Sequence, residues 1–105
     1  MTIEELKFLQ ENFSEEKVYL TDGYYRFKQL AADEYEIMFA LPGNCGTSEY
    51  HPRIRFAVEA EQIVPISLMD VVATPVQLID YSPETAAELT LALENLKNKF
   101  FAVKV

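Results

Sequence analysis

Residues 53–60 read RIRFAVEA. In an extended chain Ile54, Phe56, Val58 and Ala60 fall on one side, and Arg53, Arg55, Ala57 and Glu59 fall on the other. Alternation this strict marks a strand with one buried and one wet face, the habit of antiparallel sheets. The same period occurs upstream in EYEIMFAL, residues 34–41. There Tyr35, Ile37, Phe39 and Leu41 share a face opposite Glu34, Glu36 and Met38.

Further upstream, KVYLTDGYYRFKQL at residues 17–30 contains Asp22-Gly23. That dipeptide suits a type I′ turn, which needs positive φ at both central residues. A turn there sets Thr21 opposite Tyr24, Leu20 opposite Tyr25, Tyr19 opposite Arg26 and Val18 opposite Phe27. Parity then assigns Val18, Leu20, Tyr25 and Phe27 to the core face. Tyr19, Thr21, Tyr24, Arg26 and Lys28 go to the wet face. Downstream, Pro65 suggests an edge strand. Ser67 and Asp70 suggest a capped helical turn through Val72, and residues 76–80 a further strand. Short apolar runs do not separate strand from helix, so residues 61–74 stay open between the two.

The chain ends read as helices. Thr2 and Glu5 form a T-x-x-E capping box. Ile3, Leu6, Leu9 and Phe13 then make one apolar stripe, predicting a helix over residues 3–13. Near the other end Ser82-Pro83 reads as an N-cap followed by a first-turn proline. Leu89, Leu93, Leu96 and Phe100 give a second stripe, expected to cover the protein's own sheet rather than form a dimer seam. Residues 101–105 either fray or add a short strand. The expected fold is α+β, in a single domain spanning residues 1–105. It has a mostly antiparallel sheet of four to six strands, with N- and C-terminal helices packed on one face. This order resembles that of small acidic secretion chaperones in architecture alone, with no motif that identifies a family.

The chain has 105 residues, 17 acidic against 9 basic, for a net charge of -8. That charge opposes phosphate backbones and anionic membranes and favours basic partners. Direct nucleic-acid binding and membrane association are therefore not expected. Acids at the N-terminus argue against a signal peptide. A lone cysteine allows no internal disulfide, so a cytoplasmic protein is expected.

The only cysteine and the only histidine, Cys45 and His51, share the stretch LPGNCGTSEYHP at residues 41–52. A thiol beside an imidazole, oriented by Glu49 or Asn44, would make a nucleophilic site. The competing reading is a long connecting loop from residue 42 to 52, turned by Pro42, Gly43 and Asn44. Cys45, Glu49 and His51 offer three metal ligands at most, so no metal is expected. Nucleotide and hydrolase signatures are missing, so no cofactor and no catalysis are expected.

The three arginines, Arg26, Arg53 and Arg55, fall on the same wet face, joined by Lys28, Tyr19 and Tyr24. Arginine and tyrosine are enriched at binding hot spots. One reading is a face that docks an acidic peptide or the acidic part of a second copy. The other is ordinary cross-strand pairing, with Arg53 and Arg55 opposite Glu34 or Glu36. The function expected is a small acidic non-catalytic interaction module, homodimeric, an adaptor, inhibitor or chaperone. It would bind a protein partner, a basic one among the candidates, through its sheet face or its acidic surface. One version is an acidic mimic occupying a basic nucleic-acid site on its target. The alternatives are an enzyme using Cys45 and His51, and a ligand pocket lined by Phe27, Phe39 and Phe56.

Overall fold

The computed structural model describes residues 1–104, the side chain of Asn44 excepted. An N-terminal helix, α1 (Ile3–Asn12), precedes six strands and a C-terminal helix, α2 (Ala86–Ala102). The strands are β1 (Val18–Leu20), β2 (Gly23–Ala31), β3 (Glu34–Pro42), β4 (Ser48–Glu59), β5 (Gln62–Asp70) and β6 (Gln77–Asp80). They pair antiparallel in chain order, as one uninterrupted meander. This is the expected α+β class at the upper end of the expected strand number.

Parity builds the core. Phe27, Ile37, Ile54, Leu68 and Ile79 are successive cross-strand partners, one apolar row running across five strands. Leu6 and Leu9 of α1 and Leu89, Leu93, Leu96 and Phe100 of α2 pack on that face. The capping box forms as expected, with the Thr2 hydroxyl accepting from the Glu5 amide at 3.1 Å. Phe8 meets Phe101 at 4.6 Å between ring centres, and Phe13 meets Phe100 at 4.7 Å, so the two helices also pack on each other. Phe27, Phe39 and Phe56 are buried among neighbouring rings rather than lining a pocket.

Several local expectations are corrected. The first hairpin turns at Thr21-Asp22, because Leu20 pairs with Gly23, Tyr19 with Tyr24 and Val18 with Tyr25. The register moves by two residues, so the paired residues keep their faces, although Val18 on the core side is exposed and Thr21 leaves the strand for the turn. Thr21 takes φ +58°, and the Asp22 amide folds back on the Leu20 carbonyl at 2.5 Å. Gly23 is held in β2 because a Cβ there would lie 2.5 Å from Cε1 of Phe39 and 2.7 Å from the Ala40 carbonyl oxygen. The glycine admits the aromatic ring, a strand role rather than a turn role.

The stretch from residue 42 to 52 is a hairpin rather than a long loop. Pro42 pairs with Ser48, Leu41 with Glu49 and Ala40 with Tyr50, leaving only residues 43–47 to connect the strands. The Gly43 amide closes the turn on the Thr47 carbonyl at 2.8 Å. Residues 61–74 are strand through Asp70, with no helical turn at Ser67. Asp70 instead accepts from the amides of Val72 and Ala73, both at 3.0 Å, and so turns the chain toward β6. Pro65 lies in an inner strand, opposite Phe56 and beside a register shift. A bulge tolerates the missing amide, and β6 pairs only as far as Ser67, so β5 is locally an edge at Pro65. Helix α2 begins at Ala86, and Ser82 closes a preceding turn by accepting the Ala86 amide at 2.9 Å. The segment at residues 101–104 ends the helix in a turn rather than forming a strand, and Val105 lies outside the described residues.

Candidate functional site: the open face of the sheet

Among the described residues no helix packs over the opposite sheet face. Cross-strand pairing defines its rows. Tyr19, Tyr24, Ala40 and Tyr50 form one, and Arg26, Met38, Arg53, Met69 and Leu78 the next. Lys28, Glu36, Arg55, Ser67 and Asp80 form a third. The three arginines, Lys28, Tyr19 and Tyr24 thus share one surface, while Phe56 is fully buried behind it.

The middle of this face is drier than alternation alone suggests. Met38 is 1 % exposed, Ala40 is buried, and Glu36 is buried as well. Long side chains from both flanking strands roof β3. Arg26 forms an ion pair with Glu36, and Arg55 forms one with Glu34, each on a diagonal across neighbouring strands. Glu36 is directly opposite Arg55, but its carboxylate is taken by Arg26. The Nε groups of Arg26 and Arg55 are buried without a hydrogen-bond partner, so these two guanidiniums are fixed by their carboxylates alone. Cross-strand pairing therefore accounts for two of the three arginines.

Arg53 is different. Its guanidinium lies over the Tyr50 ring, 4.9 Å from the ring centre. Lys17 makes a matching arrangement on Tyr24, with Nζ 4.8 Å from that ring centre, and donates to the Ser48 hydroxyl at 3.0 Å. Tyr19 meets the edge of Tyr24 at 5.3 Å. Among the described residues no carboxylate pairs with Lys17, Lys28 or Arg53. The result is a band of three tyrosines with two cations laid on their rings, a pairing worth about 0.5–1 kcal/mol each where exposed.

Tyr50 and Lys17 were not among the residues expected here. Strict alternation back from Arg53 places Tyr50 on the core side. A bulge at His51-Pro52 breaks it: Met38 pairs with Arg53, yet Ala40 pairs with Tyr50. The extra residue returns Tyr50 to the open face and turns His51 toward the core, 6.4 Å from the Phe39 ring. Pro52 within the strand was the available signal.

Cys45 and His51 are not brought into one site. Cys45 is exposed at the tip of the β3–β4 turn, at φ +58°. His51 is held by Asp70, with Nδ1 2.9 Å from each carboxylate oxygen. Asp70 therefore takes the orienting role expected of Glu49, and Asn44 lies outside the described side chains. His51 and Asp70 border a cleft of about 270 Å³ beneath α2, where Asn95 and Lys99 also contribute. Cys45 does not line that cleft. Among the described residues no three His, Cys, Asp or Glu side chains converge to hold a metal ion, and no helix is long and apolar enough to cross a membrane. Comparison with family models, with curated proteins and with solved structures finds no match to this chain.

Proposed function

We propose that this chain is a small, non-catalytic protein-interaction module whose open sheet face docks an acidic segment of another protein. The observation that carries the reading is the tyrosine band, where Lys17 and Arg53 lie on rings with no carboxylate partner among the described residues. Carboxylates of the segment would meet Lys17, Lys28 and Arg53, and its apolar side chains would rest on Tyr19, Tyr24 and Tyr50. Tyrosine supplies large contact area with few soft torsions, and arginine is enriched beside it at binding hot spots. Arg26 and Arg55 act as scaffold, since Glu36 and Glu34 already neutralise them. Two copies meeting face to face would set Arg53 and Lys28 against their own kind, which favours a different protein as the occupant. The free thiol of Cys45 suits a reducing compartment such as the cytoplasm.

Calorimetric titration with a synthetic peptide alternating glutamate and phenylalanine tests this. Binding should weaken with salt, because exposed charge pairs are screened. Arg53→Glu and Lys17→Glu should each weaken it by about tenfold or more. Leu91→Ser, on the solvent side of α2, should leave it unchanged. Equal affinity in the Arg53→Glu protein, with the fold intact by circular dichroism, would remove the proposal.

A second reading rests on the His51–Asp70 pair, since an imidazole held at Nδ1 by a carboxylate is the arrangement of a general base. Cys45 does not line the cleft that the pair borders, so this reading takes water as the nucleophile. Hydrolysis of an activated ester that is unchanged in Asp70→Asn, or none at all, retires the enzyme.

A further inference from the structure

Strand β6 is the outermost strand and has a neighbour on one side only. The Tyr81 amide donates to the Ile66 carbonyl at 2.8 Å, in step with the pairs Leu68↔Ile79 and Asp70↔Gln77. In an antiparallel ladder both polar groups of a residue face the same neighbour, and successive residues alternate. Gln77 and Ile79 therefore direct their backbone groups at β5. The N–H and C=O groups of Leu78 and the N–H of Asp80 point outward, away from the sheet, while the Asp80 carbonyl already accepts from the Thr85 hydroxyl at 2.7 Å. Leu78 is also 68 % exposed, more than any other large apolar side chain described, and Val76 and Tyr81 beside it are exposed too. Residues 77–80 carry neither the lysine nor the proline that ordinarily blunts an edge.

We propose that β6 pairs antiparallel with β6 of a second copy, on a two-fold axis between the two Leu78 residues. The pattern is self-complementary. Leu78 and the partner's Leu78 exchange both backbone hydrogen bonds, and residue 76 of each chain faces Asp80 of the other. Met69, Leu78, the partner's Leu78 and the partner's Met69 then form one apolar row, and the two sheets become one.

Charge permits a second copy at this edge. Each chain carries -8 overall, yet β6 holds one charged residue, Asp80. In the proposed register the two Asp80 carboxylates lie four residues apart along the ribbon, about 13 Å at strand rise, beyond the screening length at physiological salt. The other edge, β1, is three residues long and flanked by Glu15, Glu16 and Asp22, so self-pairing there would set acids against acids. A ribbon of four residues makes a small interface, so the dimer is expected to be weak, with a Kd on the order of 10 to 500 μM.

Two measurements test this independently of the acidic-segment reading. In sedimentation, the unaltered protein should pass from monomer to dimer below about 500 μM, consistent with an interface of this size, while Leu78→Lys should stay monomeric. On a Cys45→Ala background, Leu78→Cys should oxidise to a covalent dimer. Hydrogen-bonded antiparallel partners place their Cα atoms about 5.5 Å apart, within disulfide reach. The proposal is overturned if the unaltered protein remains monomeric throughout, if Leu78→Lys dimerises equally, or if Leu78→Cys cross-links no faster than Val18→Cys on the same background.

Discussion

A methyl group added at Gly23 would meet Phe39 and the Ala40 carbonyl at 2.5 to 2.7 Å. The carbonyl belongs to the neighbouring strand and cannot move aside, so Gly23→Ala should cost on the order of 1–3 kcal/mol, read as a lower urea midpoint. Phe39 is held from several sides, with Tyr25 at 5.2 Å and the Lys99 ammonium 4.3 Å from its ring centre. Lys99 also donates to Asp22 at 2.5 Å, and the Tyr25 hydroxyl donates to the same carboxylate at 2.8 Å. The Lys99 hydrogen bond, with help from Tyr25, holds Asp22 below the ordinary aspartate range. Burial, then the Asp22 carboxylate, push Tyr25 well above the usual tyrosine range. At this scale the sequence is legible in kind but not in place. Asp22-Gly23 announces a hairpin, but a dipeptide cannot show that a ring on the next strand needs the glycine's empty side.

Among elements, the β4–β5 hairpin turns through Ala60 and Glu61, both left-handed at φ +50° and +61°. Neither residue type favours that region, where a side chain costs roughly 1–2 kcal/mol. Replacing the pair by Asn-Gly should raise stability by about 1 kcal/mol, measured by thermal or chemical unfolding. The absence of a turn residue also explains why residues 61–74 resisted reading: the alternation of β4 ran into β5 without punctuation. The helices were legible because their stripes repeat over three turns or more. Their mutual tie was not, since Lys97 reaches across chain ends to Glu5 at 2.7 Å and along its own helix to Glu94 at 2.9 Å. Burial pulls Lys97 down, but the two carboxylates outweigh it and its pKa is raised. The Lys97 hydrogen bond lowers Glu5; the N-terminal ammonium and then Lys97 lower Glu94. Carboxylates depressed in the fold contribute stability that is complete above their ordinary pKa of 4.5 and lost as pH falls through the folded values. Unfolding midpoints should therefore drop on acidification below about pH 4.5, and Lys97→Met should flatten that drop.

For the whole molecule, pleat parity sorts the chain into a face sealed by two helices and a face left open. The open face was legible wherever alternation is unbroken, which is why Arg26, Lys28, Arg53, Arg55, Tyr19 and Tyr24 fall together. It was illegible where a bulge resets the alternation, as at Tyr50, and where a residue outside any strand reaches in, as Lys17 does. Ion pairing fixes Arg26 and Arg55, so binding should be more sensitive to Arg53 than to either. Arg26→Gln should instead destabilise the fold, since it strands the buried Glu36 carboxylate, at a cost of about 1–3 kcal/mol in denaturant titration. The most direct test of the open face as the binding surface is an amide chemical-shift map of the labelled protein titrated with the glutamate–phenylalanine peptide. The shifts should cluster at Tyr19, Tyr24, Tyr50 and Arg53. Shifts confined to α1 and α2, or none at millimolar peptide, would contradict the account.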